Sequence, residues 1–294
     1  MSHMRLFGAM AAAAILVSAS AASAQTFRVG SKNFTEQFIL GEIYAVALEN
    51  AGIKVERKIN LGGTLIAHKA LTSDEIDMYP EYTGTALLAV LKGDAISDAD
   101  KVYGMVRAHY EKEWNVTWLK PAGINNGYAI IVRPETAQQY NLKTLSDLGK
   151  VAKQLKIGAG PEYLDRKDGL PGLKAVYGAE FAEFKQFAKL GLRYDALIAK
   201  QIDVANGFAT DWQIADQNFV ALADDKNLFP PYYVAPVIRQ AALKTFPKAA
   251  DTLDRVSVLL DNPTMQKLNA QVEKDKQEPK DVAKAFLKSK GLIN

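Results

Sequence analysis

The chain has 294 residues, 48% hydrophobic and 23% charged, which is the composition of a globular protein rather than a disordered or fibrous one. Its 36 basic and 33 acidic residues leave a net charge of +3, too small a surplus for a strongly basic nucleic-acid binder. There is no cysteine, which excludes disulfides, thiolate metal sites and a cysteine nucleophile.

The first element is a leader. Arg5 precedes an apolar run from Leu6 to Val17, and small residues follow. Ala22-Ser23-Ala24 fits an A-x-A cleavage site before Gln25. The run is short for a span of about 20 residues. Residue 25 is not cysteine, so no lipid anchor is indicated. The expectation is export of a mature chain that begins near Gln25.

The mature chain then alternates. Phe27–Gly30 reads as a strand and Phe34–Asn50 as a helix, with Asn33 and Glu36 spaced as a capping box. Lys54–Ile59 is a second strand, and Gly62-Gly63-Thr64 opens a helix ending near Ser73. Ile76–Tyr79 is a third strand, and Thr83-Gly84-Thr85 opens a helix to about Leu91. Three strand–loop–helix units in succession imply a mostly parallel sheet with helices on both faces. A helix over Asp98–Trp114 follows. Tyr128–Arg133 reads as a buried strand stopped by Pro134. A helix near Leu145–Gln154, a strand at Lys156–Ala159, a strand at Lys185–Phe187, a helix near Arg193–Lys200 and strands at Val204–Phe208 and Phe219–Leu222 complete the second half. Leu228–Pro236, rich in proline and aromatics, reads as a crossing strand, and Gln240–Leu292 as helices only. The first half has too few strands to finish a domain, and the tail has no sheet of its own. Two α/β lobes with two crossings, the tail packing back on the first lobe, satisfy both facts.

In open α/β sheets, ligands bind beyond the carboxyl ends of strands. Those positions carry Ser31-Lys32-Asn33, Leu61-Gly62-Gly63-Thr64, Tyr79 to Thr85, Gly160 to Arg166, and Phe208-Ala209-Thr210-Asp211-Trp212. Two kinds of group recur there. Lys32, Arg166 and helix starts at Thr64 and Thr85 suit an anion. Tyr82, Tyr163, Phe208 and Trp212, joined by Tyr128 and Tyr232 near the crossings, suit a cation. Arginine holds a carboxylate through two parallel hydrogen bonds, and aromatic faces attract a quaternary ammonium within about 6 Å. Together they suit a zwitterion. A basic amino acid or polyamine is the alternative, and Glu36, Glu81 and Asp211 are the acidic groups it would use. An exported enzyme would draw on Glu81, Glu162 and Asp211. Of the three histidines, His68 and His109 fall on helical surfaces, and no G-x-S-x-G elbow, P-loop or metal-binding histidine pair occurs. The tail helices, with alternating Lys, Glu and Asp over 271–290, read as a solvated face. Trp114 and Trp118 read as packing.

Val29 to Gln37, Asp77 to Thr85 and Phe229-Pro230-Pro231-Tyr232 resemble the osmoprotectant substrate-binding proteins of ABC transporters, and the resemblance covers essentially the whole mature chain. It implies binding of glycine betaine, carnitine, choline or proline betaine by a type II periplasmic-binding fold, an α/β architecture of two doubly wound lobes joined by a two-strand hinge. The implied divisions are a signal peptide at 1–24, a first lobe at 25–124 and 233–294, and a second lobe at 125–232. The implied cation cage is Tyr82, Tyr128, Phe208 and Tyr232. The implied carboxylate clamp is Lys32, Thr85 and Arg166, with Glu162 contributing mainly through its backbone. Trp212 and Asp211 are further candidates. Where Phe208 stands the family usually has tyrosine, and Trp212 replaces a glycine, a change expected to narrow or reshape the pocket. Some members take larger trimethylated betaines such as ergothioneine. The resemblance also implies a periplasmic monomer that needs no cofactor, turns over no substrate, binds no nucleic acid and hands its ligand to an ABC permease.

Overall fold

The computed structural model describes residues 25–189 and 191–293, so the expected leader at 1–24 lies outside the described residues. Ten strands form two five-stranded sheets. The first orders β2 (Val55–Lys58), β1 (Phe27–Gly30), β3 (Met78–Tyr82), β10 (Val234–Arg239) and β4 (Val116–Trp118). The second orders β7 (Glu183–Gln186), β6 (Lys156–Ala159), β8 (Val204–Phe208), β5 (Tyr128–Val132) and β9 (Val220–Ala221). Each sheet pairs three parallel strands with one antiparallel strand, β10 or β5, that arrives from the other half of the molecule. This is the type II arrangement. The chain leaves the first sheet through 119–127 and returns through 222–233. The two crossings pair at the Asn125–Tyr233 bridge, reinforced by the Asn126 N–H on the Tyr232 carbonyl at 3.1 Å.

Side chains alternate between two apolar layers on each sheet. On β10, Val234 and Ile238 join one cluster while Ala235 and Val237 join the opposite one. The helix Thr35–Asn50 is apolar on nearly every side, with Ile39, Leu40, Ile43, Tyr44 and Leu48 fully buried. Such a helix must be covered all round. The sheet covers one side, and Val282, Ala283, Phe286 and Leu287 of the helix Pro279–Ser289 cover another. The C-terminal helices therefore return to the first sheet. Trp118 is buried in the opposite layer.

Several local expectations are corrected. The third strand begins at Met78 and runs through Pro80 instead of stopping at Tyr79. Pro80 lies opposite Pro236, and the Thr83 N–H bond to the Tyr233 carbonyl places that proline pair at a non-hydrogen-bonded position. Neither strand asks the other for an N–H there. Pro134 does not merely stop a strand but occupies the first turn of a helix, Pro134–Tyr140, where its missing donor is harmless. A further helix, Leu170–Tyr177, and strand β4 escaped the sequence pattern. The capping box is absent: Phe34 is the N-cap residue, and Glu36 turns inward. His68 is half-buried rather than on a surface, because the helix Thr64–Thr72 packs its ring edge-on to Trp114 at 4.4 Å.

Asp77 ties the first sheet together. Its carboxylate accepts from the Arg28 backbone N–H at 2.7 Å, from the Arg28 guanidinium at 2.8 Å and from Arg239 at 2.5 Å. Burial alone would raise this carboxyl, but these donors hold it below its usual 3.8. Asp77→Ala leaves two arginines facing each other and is expected to cost about 3 kcal/mol near pH 7, read by urea unfolding. Because the folded value is depressed, the Asp77 contribution is present above pH 3.8 and fades below it. The difference between wild type and variant should shrink as pH falls through that range. A constant difference would place the effect elsewhere.

Candidate functional site

The strand ends of both lobes meet around one cavity of about 140 Å³. The structure brings eight of the ten candidate residues to its wall: Lys32, Tyr82, Thr85, Tyr128, Glu162, Arg166, Phe208 and Tyr232. β3 delivers Tyr82 at its end, and Thr85 follows in the next turn. β5 and β8 place Tyr128 directly opposite Phe208. Gly84 is required where the third strand end meets the crossing, since a Cβ there would approach the Pro231 carbonyl and the Tyr232 ring to 2.8 Å.

The rings form a connected wall. Tyr128 stacks on Phe208 at 5.2 Å between centroids and meets Tyr232 edge-on at 5.9 Å. Phe34 stacks with both Tyr82 at 6.3 Å and Phe208 at 6.4 Å. Phe34 lines the cavity and was not foreseen; its position just after the Lys32 loop was the available signal.

The cations are already engaged. Lys32 Nζ donates to Glu81 Oε1 at 2.5 Å, with both side chains almost fully buried. Burial pulls the Lys32 ammonium below its usual value, and Glu81 opposes that pull. Arg166 pairs through two donors with Asp168, at 2.7 and 2.6 Å, and the Tyr232 hydroxyl donates to the same carboxylate. Asp168 thus sets the orientation of both Arg166 and the Tyr232 ring, and nothing in the sequence singled it out. Glu162 stands exposed at the rim, where a side chain on Gly63 of the other lobe would collide with its carboxylate. Its carbonyl accepts from Asp165 and Arg166 N–H groups.

The other two candidates lie outside the cavity. Asp211 accepts from the Phe208 N–H at 2.9 Å, from Arg193 at 2.9 Å and from the Tyr194 hydroxyl. Arg193 sits 5.0 Å from the Phe208 ring centroid. Asp211 therefore fixes Phe208 from behind. Trp212 faces the neighbouring groove, where its Nε1 donates to Glu273 at 2.8 Å, so it does not narrow the cavity. The turn after β8 directs it away from Phe208.

Glu36 is the hub between lobes. It accepts from the Tyr82 hydroxyl at 2.6 Å, from Asn126 of the crossing at 2.9 Å and from the Thr210 hydroxyl of the second lobe. Burial raises its pKa above the usual 4.5, against these donors.

Residues 25–289 match the family described as the substrate binding domain of an ABC-type glycine betaine transport system. The chain belongs to this family. Proteins of this kind are extracytoplasmic and serve transport. The chain is 36% identical over 288 residues to the ergothioneine transport permease/ergothioneine binding protein of Helicobacter pylori strain G27, covering 98% of this chain but only 52% of that longer relative. It is 35% identical to the carnitine transport binding protein of Listeria monocytogenes, with 90% of this chain and 87% of that one covered. A solved structure described as a glycine betaine/carnitine/choline ABC transporter matches with a TM-score of 0.76 at 32% identity, over 91% of this chain and all of the other. No helix among the described residues of this family member is long and apolar enough to cross a membrane.

A raised carboxyl contributes most below its unfolded value and loses that contribution as pH rises through the folded one. Wild-type stability relative to Glu36→Gln should therefore increase as pH is lowered from neutral toward 4.5. Urea unfolding at several pH values checks this. A flat difference would mean that Glu36 ionises as freely in the folded chain as in the unfolded one.

Proposed function

We propose that this protein is the periplasmic receptor of an ABC importer and that it captures a quaternary-ammonium zwitterion in the cavity between its lobes. The lobes are 25–124 with 233–294, and 125–232. It acts as a monomer, turns nothing over, and passes its ligand to the permease after hinge closure. Tyr82, Tyr128, Phe208 and Tyr232 surround the ammonium. Lys32, Thr85 and Arg166 face the carboxylate through donors left over from their internal pairs.

One observation carries this reading. The carboxylates nearest the rings, Glu36, Glu81, Asp168 and Asp211, all accept hydrogen bonds from protein donors. A primary amine or a guanidinium brings several N–H groups that call for charged acceptors, and these four carboxylates are spent; Glu162 at the rim and the neutral amide of Asn206 remain on the wall. A quaternary ammonium has no N–H and needs only π faces. The same bookkeeping disfavours the basic amino acid, the polyamine and acid–base catalysis.

Calorimetric titration of the chain from Gln25 with glycine betaine, choline, carnitine, proline betaine and ergothioneine should find tight binding of at least one. Arginine and putrescine should not bind. Binding of putrescine alone would overturn the reading. Phe208→Leu keeps the bulk and removes the ring, and should weaken a bound ligand by roughly 30-fold, about 2 kcal/mol for a desolvated cation–π contact. Arg166→Ala should weaken a betaine more than choline, which has no carboxylate; equal losses would remove Arg166 from the clamp.

A further inference from the structure

β8 carries Val204, Asn206 and Phe208 on one face, since alternate residues of a strand share a side. Val204 belongs to the apolar layer of the second lobe, and so does Ile130, which lies directly opposite Asn206 on β5. The position calls for an aliphatic side chain. Asparagine is disfavoured in strands and packs poorly in such a layer. Yet Asn206 is only 2% exposed, lines the cavity, and its Oδ1 accepts no hydrogen bond from any described protein group. The Tyr163 hydroxyl, 1% exposed and also on the cavity wall, is likewise without a partner.

A buried acceptor left unmade is more costly than an ordinary hydrogen bond is favourable. The Nδ2 end can donate to a ligand carboxylate, but Oδ1 is satisfied only when a ligand donates to it. Neither pole of a simple betaine can do so. A quaternary ammonium has no N–H, and a carboxylate only accepts. We infer that Asn206 reads a third group, and that the ligand is a quaternary-ammonium zwitterion carrying an additional O–H or N–H donor, with the Tyr163 hydroxyl as a second polar contact for that group. This rests on the receptor reading above and narrows its ligand class. A site built to hydrogen-bond such a group discriminates against the analogue that lacks it, because the site's own polar atom is then left unpaired.

The test compares ligands that differ in the donor. Carnitine differs from γ-butyrobetaine only in a hydroxyl; ergothioneine differs from glycine betaine in a whole ring that brings its N–H, so that pair is read by whether Asn206→Leu removes the preference and not by the wild-type preference alone. Wild-type protein should bind the donor-bearing member of at least one pair about tenfold tighter or more, and the pair that responds identifies an O–H or an N–H. Asn206→Leu should abolish that preference and change the donor-free ligand by less than about threefold. Asn206→Asp, which keeps an acceptor in place, should retain the preference and serves if the leucine variant does not fold. Equal losses for both members of a pair, or no wild-type preference in either pair, would overturn the inference. Binding of none of these four ligands would overturn this inference, and failure of choline and proline betaine as well would sink the receptor reading itself.

Discussion

The Lys32–Glu81 ion pair joins the ends of the first and third strands, and the geometry of the cage follows from it. Both side chains are out of water, so neither charge tolerates loss of the other. Glu81 also accepts from the Tyr82 N–H at 2.6 Å and the Tyr79 hydroxyl at 2.8 Å, and Lys32 lies 5.2 Å from the Tyr82 ring. One pair thus fixes a loop, a strand end and a ring. The pattern recurs twice in the second lobe. Arg166, paired with Asp168, lies 5.5 Å from the Tyr128 ring; Arg193, paired with Asp211, lies behind Phe208. Three of the four proposed cage rings, Tyr82, Tyr128 and Phe208, rest against a cation the protein has already neutralised, and the fourth, Tyr232, is held through its hydroxyl on Asp168. The rings are held in place by charge while their surroundings stay close to electroneutral, as the proposed zwitterionic ligand requires.

Carboxylates with unlike partners behave oppositely within this frame. Asp77 faces two guanidinium groups and is pulled toward the ionised form. Glu36 faces hydroxyl and amide donors only, and burial pushes it toward the neutral one. The difference has a structural meaning. Asp77 lies within one lobe and locks β1 against β10. Glu36 touches a cage ring, a crossing and the second lobe at once, so its hydrogen bonds depend on how the lobes are arranged. A group whose neighbours come from both lobes and the hinge is sensitive to closure in a way that Asp77 is not.

Much of the site was legible because strand ends converge in an α/β sheet whatever the loops contain. That rule, with residue type, was enough to nominate Lys32, Tyr82, Arg166 and Phe208; Tyr128 and Tyr232 were added as aromatics near the crossings, and the resemblance assigned all six their roles. The misses have a common cause. The spacing of Asn33 and Glu36 satisfies a helix-cap pattern, but the pattern cannot see Tyr82, Asn126 and Thr210 arriving from distant segments to occupy the carboxylate. Asp168 acquires its role from Tyr232, 64 residues away in the chain. Trp212 is four residues from Phe208 but leaves the cavity on a turn, and Pro80 stays in a strand because the register with β10 puts it at a non-hydrogen-bonded position. Local pattern registers what a residue prefers; these outcomes depend on which partner the fold brings.

Contacts between the lobes divide by environment, and the division bears on how a receptor of this family releases what it binds. At the surface, Lys167 reaches Asp94 and the Lys92 and Gly93 carbonyls, and Lys274 meets Asp216. These pairs are solvated, and such pairs contribute little. The buried links run through Glu36 and Thr210, and through Asn269 on the Thr210 carbonyl at 3.1 Å. A surface clasp alone does not hold the lobes together against the entropy of opening. A ligand that spans the cavity touches rings and donors of both lobes, so its differential affinity for the closed arrangement tips the balance. A weak ligand-independent clasp lets the same lobes part once the cargo is withdrawn. The buried ion pairs stay within each lobe, where they position the rings, while the buried links between the lobes are hydrogen bonds gathered on Thr210.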